Sequence, residues 1–192
     1  MPPLLRYNLA PTLNGLIASL PSHTTPWIIP DPTIDFAALY AQFDTFIMGR
    51  RTYETFLAMP PGENPLRGRA RESVVVFTRD VDRRREEWGR EVTVVGEGVV
   101  GVVRGLKESQ RREGKDIWLM GGGELAGVLM RAGLVDVVEA AVMPVVVGRG
   151  VKMFGEGGGE GDRGEEGWRL VLEKAEALES GILMTRYRVV YD

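Results

Sequence analysis

The strongest constraint on the fold is the alternation of short β-branched runs with segments of helical period. Continuous apolar runs at 73–77 and 92–95 are typical of strands buried on both faces of a parallel sheet. Val99, Val102 and Val103 share one helical face with Leu106. This alternation predicts βα units around a largely parallel sheet.

The remaining elements follow from the same periodicities and from the turn residues between them. A helix is expected after Asp31-Pro32, with Phe36, Leu39, Tyr40 and Phe43 on one apolar face, and a brief helix between Gly49 and Pro60. Strands are predicted at 4–10, 45–48, 116–120 and 134–147, a helix at 124–132, a functional loop at 11–30, a solvated charge run at 79–90, and a closing antiparallel hairpin at 168–178 and 182–191.

Composition narrows the class of protein. The 192 residues favour a single domain over 1–192, in which the glycine- and acid-rich insert at about 155–167 is expected to be mobile. A net charge of −3 with mixed signs offers no field for nucleic acid or anionic lipid, and no apolar run approaches the roughly 20 residues that span a bilayer. The absence of cysteine and of any cluster of metal ligands predicts no disulfide and no metal site, and a cytoplasmic location is expected.

The chemistry is concentrated where predicted strands end. Gly121, Gly122 and Gly123 follow one strand and precede a helix that starts with Glu124 and Leu125. Without β-carbons the backbone can approach a phosphate closely, and the following amides can donate to its oxygens. The alternative is a flexible turn.

Two other segments have the same character. After Gly49, the arginines Arg50 and Arg51 stand at a helix start that Thr52 is expected to cap. The helix dipole disfavours cations there unless an anion is shared, whereas capping alone would explain only the threonine. Thr78 and Arg79 emerge together at another strand end, for which the alternative is a solvated surface arginine.

Three segments together resemble the dihydrofolate reductase superfamily: Met48-Gly49-Arg50-Arg51-Thr52-Tyr53-Glu54, Phe77-Thr78-Arg79, and Leu119-Met120-Gly121-Gly122-Gly123-Glu124. Thr12-Leu13-Asn14-Gly15, Pro144-Val145-Val146-Val147-Gly148-Arg149-Gly150 with Met153-Phe154, and Arg186-Tyr187 are similar to its riboflavin-biosynthesis branch, the C-terminal reductase domain of a bifunctional deaminase-reductase. The resemblance implies an α/β, three-layer fold with a mostly parallel central sheet, helices on both faces and a C-terminal antiparallel hairpin.

The resemblance also implies NADPH as cofactor. It assigns Gly49, Arg50, Arg51, Thr52, Gly121, Gly122, Gly123, Glu124 and Leu125 to the pyrophosphate, Thr78 and Arg79 to the adenosine 2′-phosphate, and Ala10 and Ile17 to the nicotinamide.

Substrate identity is left open. Asp35 stands where folate enzymes place their acidic residue and is the candidate proton donor, although a carboxylate in a first helical turn is also ordinary dipole stabilisation. The candidate substrate-binding residues are Asn14, Trp27, Asp35 and Leu39. Three positions depart from the two patterns: Asn64 replaces the arginine that precedes a Pro-Leu pair in folate enzymes, Ala126 replaces a tyrosine, and Arg51-Thr52-Tyr53 replaces the Asp-Asp-Pro of riboflavin reductases.

The predicted function is hydride transfer from NADPH to a C=N or C=O carbon of a small heterocyclic or sugar-linked molecule, resembling a pyrimidinone riboflavin precursor or a pterin. The alternative is an NADPH-binding protein or sensor without turnover. The expected partner is a small-molecule substrate, with no nucleic acid and no membrane, and the resemblance leaves a homodimer open.

Overall fold

A computed structural model describes residues 2–109, 114–155 and 167–191. The strands are β1 (Leu5–Leu9), β2 (Leu16–Ser19), β3 (Phe43–Gly49), β4 (Val74–Phe77), β5 (Thr93–Val95), β6 (Asp116–Gly121), β7 (Val137–Val142), β8 (Gly150–Lys152), β9 (Arg169–Ala177) and β10 (Leu183–Val190). The α-helices are α1 (Phe36–Tyr40), α2 (Arg50–Leu57), α3 (Val81–Trp88), α4 (Val99–Ser109) and α5 (Gly123–Arg131), and a short 3₁₀ turn spans Arg71–Ser73.

The described strands form a large sheet in the order β5-β4-β3-β6-β1-β7-β10-β9, and β2 pairs with β8. β3 is parallel to both β4 and β6, β4 is parallel to β5, and β1 is parallel to β7. β10 is antiparallel to β7 and to β9. The predicted mostly parallel sheet with a C-terminal antiparallel pair is confirmed.

The chain divides into two compact units, each built from two separate stretches. The first comprises residues 1–5 and 33–122, and the second comprises residues 6–32 and 123–192. The single-domain organisation therefore stays a prediction. Among the described residues of both units, no helix is long and apolar enough to cross a membrane.

An aromatic cluster forms the core of the first unit. The Trp118 ring lies 4.8 Å from the Phe43 ring and 4.8 Å from the Tyr40 ring, measured between centroids. Phe43, Phe46 and Trp118 are all buried against Met48 and the valines of β4. This packing holds β3 and β6 side by side.

The structure corrects the helix predicted after Asp31-Pro32. α1 has only five residues and buries none of them, and Phe43 begins β3 instead of extending the helical face. Phe43 is 2% exposed beneath the Trp118 ring, so tertiary burial outweighs the local helical period.

Other predicted elements also change. Strand β2 lies within the stretch 11–30, where only a loop was predicted, and its partner β8 is more than 130 residues away, so no local pattern indicated it. The charge run at 79–90 contains α3, and the apolar run at 134–147 contains the shorter strand β7. The insert at 155–167 lies almost entirely outside the described residues.

A charged cluster crosses four strands of the second unit, β1, β7, β10 and β9. The Glu139 carboxylate accepts hydrogen bonds from Arg6 Nε (2.9 Å), Arg6 Nη2 (2.8 Å) and Asn8 Nδ2 (3.0 Å), and it also pairs with Arg186. The Arg6 and Glu139 side chains are only 7% and 13% exposed. Glu173, which bonds Arg186 from the outer strand β9, is 36% exposed.

We expect Glu139→Leu to lower the free energy of unfolding by about 3–5 kcal/mol, because it removes the carboxylate that accepts from both Arg6 Nε and Arg6 Nη2 at a largely buried place. Glu173→Gln removes a solvated partner from the same cluster and should cost no more than about 1 kcal/mol. Urea denaturation of both variants measures the difference. Equal losses would show that the buried pairing at Glu139 is not the stabilising contact.

Candidate functional site

The carboxyl ends of β3 and β6 meet at Gly49 and Gly122. Met48 is paired with Gly121 across the two parallel strands. A β-carbon built on Gly49 would lie 3.8 Å from the Gly122 amide nitrogen, an ordinary van der Waals contact. Two of the three segments singled out in the sequence are therefore in direct contact.

The three glycines of the triplet are needed for different reasons. Gly121 has φ +137°, and a β-carbon on it would lie 3.2 Å from Thr52 Oγ1. A β-carbon on Gly123 would lie 2.0 Å from the carbonyl oxygen of Lys152. The fold itself therefore requires Gly121 and Gly123. Gly122 has no atom within 4 Å of its β-carbon position, so its missing side chain opens space that the described residues do not fill.

The predicted capping role of Thr52 is wrong. α2 begins at Arg50 with extended Gly49 as its N-cap residue, and within the described part of the chain no side chain accepts a hydrogen bond from the first turn. Thr52 lies inside that turn, with its hydroxyl beside Gly121. The amide groups at the start of α2 therefore lack a side-chain acceptor and can donate to a ligand.

The two arginines at this helix start have different surroundings. Arg50 Nη1 donates to both carboxylate oxygens of Glu54 at 2.9 Å. Arg51 is exposed, and among the residues the structure describes its guanidinium has no ion pair within 4.0 Å. Since a cation is disfavoured at this end of a helix, an unpaired Arg51 fits a site for an anion.

Thr78 and Arg79 leave the sheet beside the start of α2, because Gly49 is paired with Phe77 in the parallel β3–β4 ladder. Thr78 is buried, its amide donates to Val95 O at 2.9 Å, and its hydroxyl oxygen accepts from the Asp80 amide at 3.2 Å. None of the described residues accepts from the Thr78 hydroxyl, so its proton is available to a ligand. Arg79 is exposed.

The other residues assigned to the cofactor belong to the second unit. Glu124 and Leu125 lie in the first turn of α5; Glu124 is exposed, whereas the Leu125 side chain is buried, so only its backbone could meet a ligand. Ala10 follows β1, and Ile17 lies in β2 where the register with β8 shifts; both are half-buried. Their contacts with a cofactor stay a prediction.

Asp35 has a structural role in the first unit. It is the N-cap residue of α1, and its Oδ1 accepts a hydrogen bond from the Ala38 amide at 2.8 Å. This is the helix-end alternative considered for the sequence, and it leaves Oδ2 for another partner. Leu39 is half-buried and packs against the aromatic core.

Asn14 and Trp27 lie in the second unit. The Asn14 side chain donates to Val147 O at 2.7 Å and accepts from Thr12 Oγ1 at 2.9 Å, so it is engaged in holding a turn. The Trp27 indole N–H is buried and has no hydrogen-bond partner among the described residues. A buried donor of this kind is costly unless a ligand or water accepts from it, which fits the predicted role of Trp27.

An aromatic pocket of about 570 Å³ lies in the first unit. It is lined by Phe36, Ala37, Tyr40, Phe56, Met59, Glu63, Pro65 and Arg69. The Arg69 guanidinium carbon lies 4.2 Å from the centroid of the Phe46 ring, and Arg69 Nε donates to Pro65 O at 2.8 Å. Burial raises the pKa of Tyr40 to about 12, and the neighbouring positive charge of Arg69 opposes this.

Arg69 was not predicted from the sequence. The position before Pro65-Leu66, where an arginine was expected, is Asn64, whose side chain donates to Phe56 O at 2.9 Å and accepts from the Leu66 amide at 2.9 Å. Arg69 has no ion pair among the residues that the structure describes. The pocket therefore contains a cation despite the asparagine, and only the loop geometry shows this.

Comparisons with known proteins agree with this fold. YyaP of Bacillus subtilis (strain 168), an uncharacterized protein, is 29% identical over 150 residues, which make up 77% of this chain and 78% of YyaP. A putative riboflavin biosynthesis protein from Shewanella sp. PV-4 superposes with a TM-score of 0.73 at 22% identity, covering 100% of both chains. Dihydrofolate reductase from Enterococcus faecalis, solved in complex with NADP(H) and RAB-propyl, superposes with a TM-score of 0.60 at 17% identity, covering 97% of this chain and 96% of the reductase.

The family resemblance given for the sequence is confirmed. The family model described as "RibD C-terminal domain" matches residues 3–184, nearly the whole length. The fold is similar to that of dihydrofolate reductase. The chain therefore belongs to the RibD C-terminal domain family.

Proposed function

We propose that this protein is an NADPH-dependent reductase of a small heterocyclic substrate. The observation that carries the proposal is the open space at Gly122 beside the uncapped start of α2, where Arg51 has no ion pair among the described residues. Backbone amides and a positive helix end beside one open space, with a cation on the same helix turn, fit a pyrophosphate. Bound NADPH would supply the hydride for a C=N or C=O carbon.

The residues after β4 fit the 2′-phosphate that distinguishes NADPH from NADH. Thr78 offers a hydroxyl donor and Arg79 a guanidinium, a pair that suits a compact dianion. Asp80 follows directly, but its carboxylate lies 3.8 Å from Arg84 Nε of α3 and is engaged there. The Enterococcus faecalis reductase of similar fold was solved with NADP(H), which supports the same cofactor here.

The aromatic pocket supports a planar substrate that carries an acidic group. Phe36, Tyr40 and Phe56 offer apolar ring surfaces, and Arg69 offers the cation. A flat heterocycle could pack on the rings while a phosphate or carboxylate pairs with the guanidinium. Pyrimidinone precursors of riboflavin and pterins with an acidic tail both have this character.

The experiment that tests the function is a screen for loss of NADPH absorbance at 340 nm. Reducible pyrimidinones and pterins should be offered in pairs with and without a phosphate or carboxylate. We expect turnover with at least one acidic heterocycle and a higher KM for its uncharged counterpart. NADPH binding without oxidation by any of them would favour the non-catalytic alternative.

Replacing Gly122 with valine should abolish NADPH binding and leave the fold intact. A β-carbon at this position has no atom of the described residues within 4 Å, and the valine side chain would occupy the space assigned to the pyrophosphate. Calorimetric titration with NADPH measures the loss, and circular dichroism checks the fold. Gly101→Val is the matched control, since Gly101 also has open space around it but lies on α4. Unchanged affinity in folded Gly122→Val would exclude this phosphate site.

Arg79→Ala should lower the affinity for NADPH by roughly 10- to 150-fold and leave the affinity for NADH almost unchanged. A charge-assisted contact to the 2′-phosphate contributes about 1.5–3 kcal/mol to the binding free energy. Arg83→Ala is the control: it removes the same charge from an exposed arginine of α3 that pairs with Glu87. Dissociation constants for both cofactors decide the matter. If both cofactors weaken equally in Arg79→Ala, Arg79 does not bind the 2′-phosphate.

Asp35 is our candidate for the residue that supplies the proton to the substrate. It directly precedes Phe36, which lines the aromatic pocket. Asparagine caps a helix as well as aspartate, so Asp35→Asn should keep its melting temperature. Turnover should fall by roughly 10²-fold or more, with NADPH affinity unchanged. Full turnover in this variant would restrict Asp35 to its capping role.

A further inference from the structure

One carboxylate joins the two helices that begin at the two proposed phosphate segments. Glu54 of α2 accepts from Arg50 Nη1 through both oxygens at 2.9 Å, and its Oε1 lies 3.0 Å from Arg84 Nη2 of α3. The Arg84 side chain is 13% exposed, whereas those of Arg50 and Glu54 are about one-third exposed. Glu54 therefore links a surface arginine of one helix to a largely buried arginine of the other.

Arg84 continues this connection to the residues after β4. Its Nε lies 3.8 Å from the Asp80 carboxylate, and the Asp80 amide donates to Thr78 Oγ1. The Arg84 guanidinium also lies 4.6 Å from the centroid of the Trp88 ring. Arg79 stands between Thr78 and Asp80, so its backbone is held from both sides.

The same two helices also pack through aromatic rings. The Tyr53 ring of α2 meets the Trp88 ring of α3 edge to face, with centroids 5.0 Å apart. Both rings are buried, at 3% and 8% exposure. This contact holds the helices together in a way that does not depend on Glu54. Loss of the Glu54 carboxylate should therefore shift the start of α3 without unfolding the unit.

We propose that Glu54 is a positioning residue that fixes the start of α3 relative to the start of α2 and thereby sets the selectivity for NADPH over NADH. The inference rests on the proposed function. NADPH would bind at the same time to the start of α2 through its pyrophosphate and to Thr78 and Arg79 through its 2′-phosphate, whereas NADH would bind only to the start of α2. Fixing the spacing in advance avoids the cost of ordering these side chains when the cofactor binds.

Electrostatic repulsion alone predicts the opposite change in cofactor affinity when Glu54 is neutralised. Glu54 is an anion close to a site for phosphates, so its neutralisation should by charge alone strengthen the binding of both cofactors. If neutralising Glu54 weakens the binding of NADPH and leaves that of NADH unchanged, the effect is therefore due to positioning and not to charge.

The test is Glu54→Gln with Glu86→Gln as control. Glu86 is an exposed carboxylate of α3, the helix that carries Arg84, and it has no hydrogen bond or ion pair among the described residues, so the control makes the same change of charge. Calorimetry gives the dissociation constants for NADPH and NADH. We expect the preference of Glu54→Gln for NADPH to fall roughly 3- to 10-fold, the range expected when one or two side chains lose their preorganisation, with that of Glu86→Gln unchanged.

A second variant tests the route through Arg84. In an Arg84→Gln background, Glu54→Gln should cause no further loss of preference, because the connection is already broken. An unchanged preference in Glu54→Gln, an equal change for both cofactors, or additive losses in the double variant would each overturn the proposal. If the wild-type protein prefers NADPH and one of these results is found, only this inference fails. If the wild-type protein binds no NADPH, the proposed function fails with it.

Discussion

Parallel pairing of β3 with β4 on one side and β6 on the other is the constraint on which the candidate site depends. The register places Gly49 opposite Phe77 and Met48 opposite Gly121. Three segments that are distant in sequence therefore end at one edge, each leading out of a buried strand. The aromatic cluster around Trp118 and Phe46 fixes that register from one face, so the positions of the backbone amides follow from core packing.

Helix α2 connects the two halves of the proposed chemistry. Its first turn offers uncapped amides beside Gly122, and its last residues lead to Phe56 and Met59 in the lining of the aromatic pocket. Eight residues span only about 12 Å, so one short rigid element serves both the phosphate segment and the pocket. Tyr53, on the buried face of α2, anchors the helix to Trp88.

Local patterns were sufficient where one property dominates a segment. Continuous valines predicted β4, and the glycine triplet after an apolar run located the end of β6, because burial on both faces and a turn leave plain signals. Thr52 was misplaced because an N-cap is defined by one backbone dihedral pair, and Gly49 has the extended conformation instead. Arg69 was missed because its role depends on a loop that brings it over the Phe46 ring, a contact that no periodicity encodes.

The most direct test of the proposed cofactor site is a structure determined from crystals of the protein soaked with NADP⁺. We expect the pyrophosphate within hydrogen-bond distance of the first-turn amides of α2 and beside Gly122, with the Arg51 side chain directed at it and the 2′-phosphate at Thr78 and Arg79. Density for the cofactor at any other place, or an empty site at a saturating concentration, would contradict it.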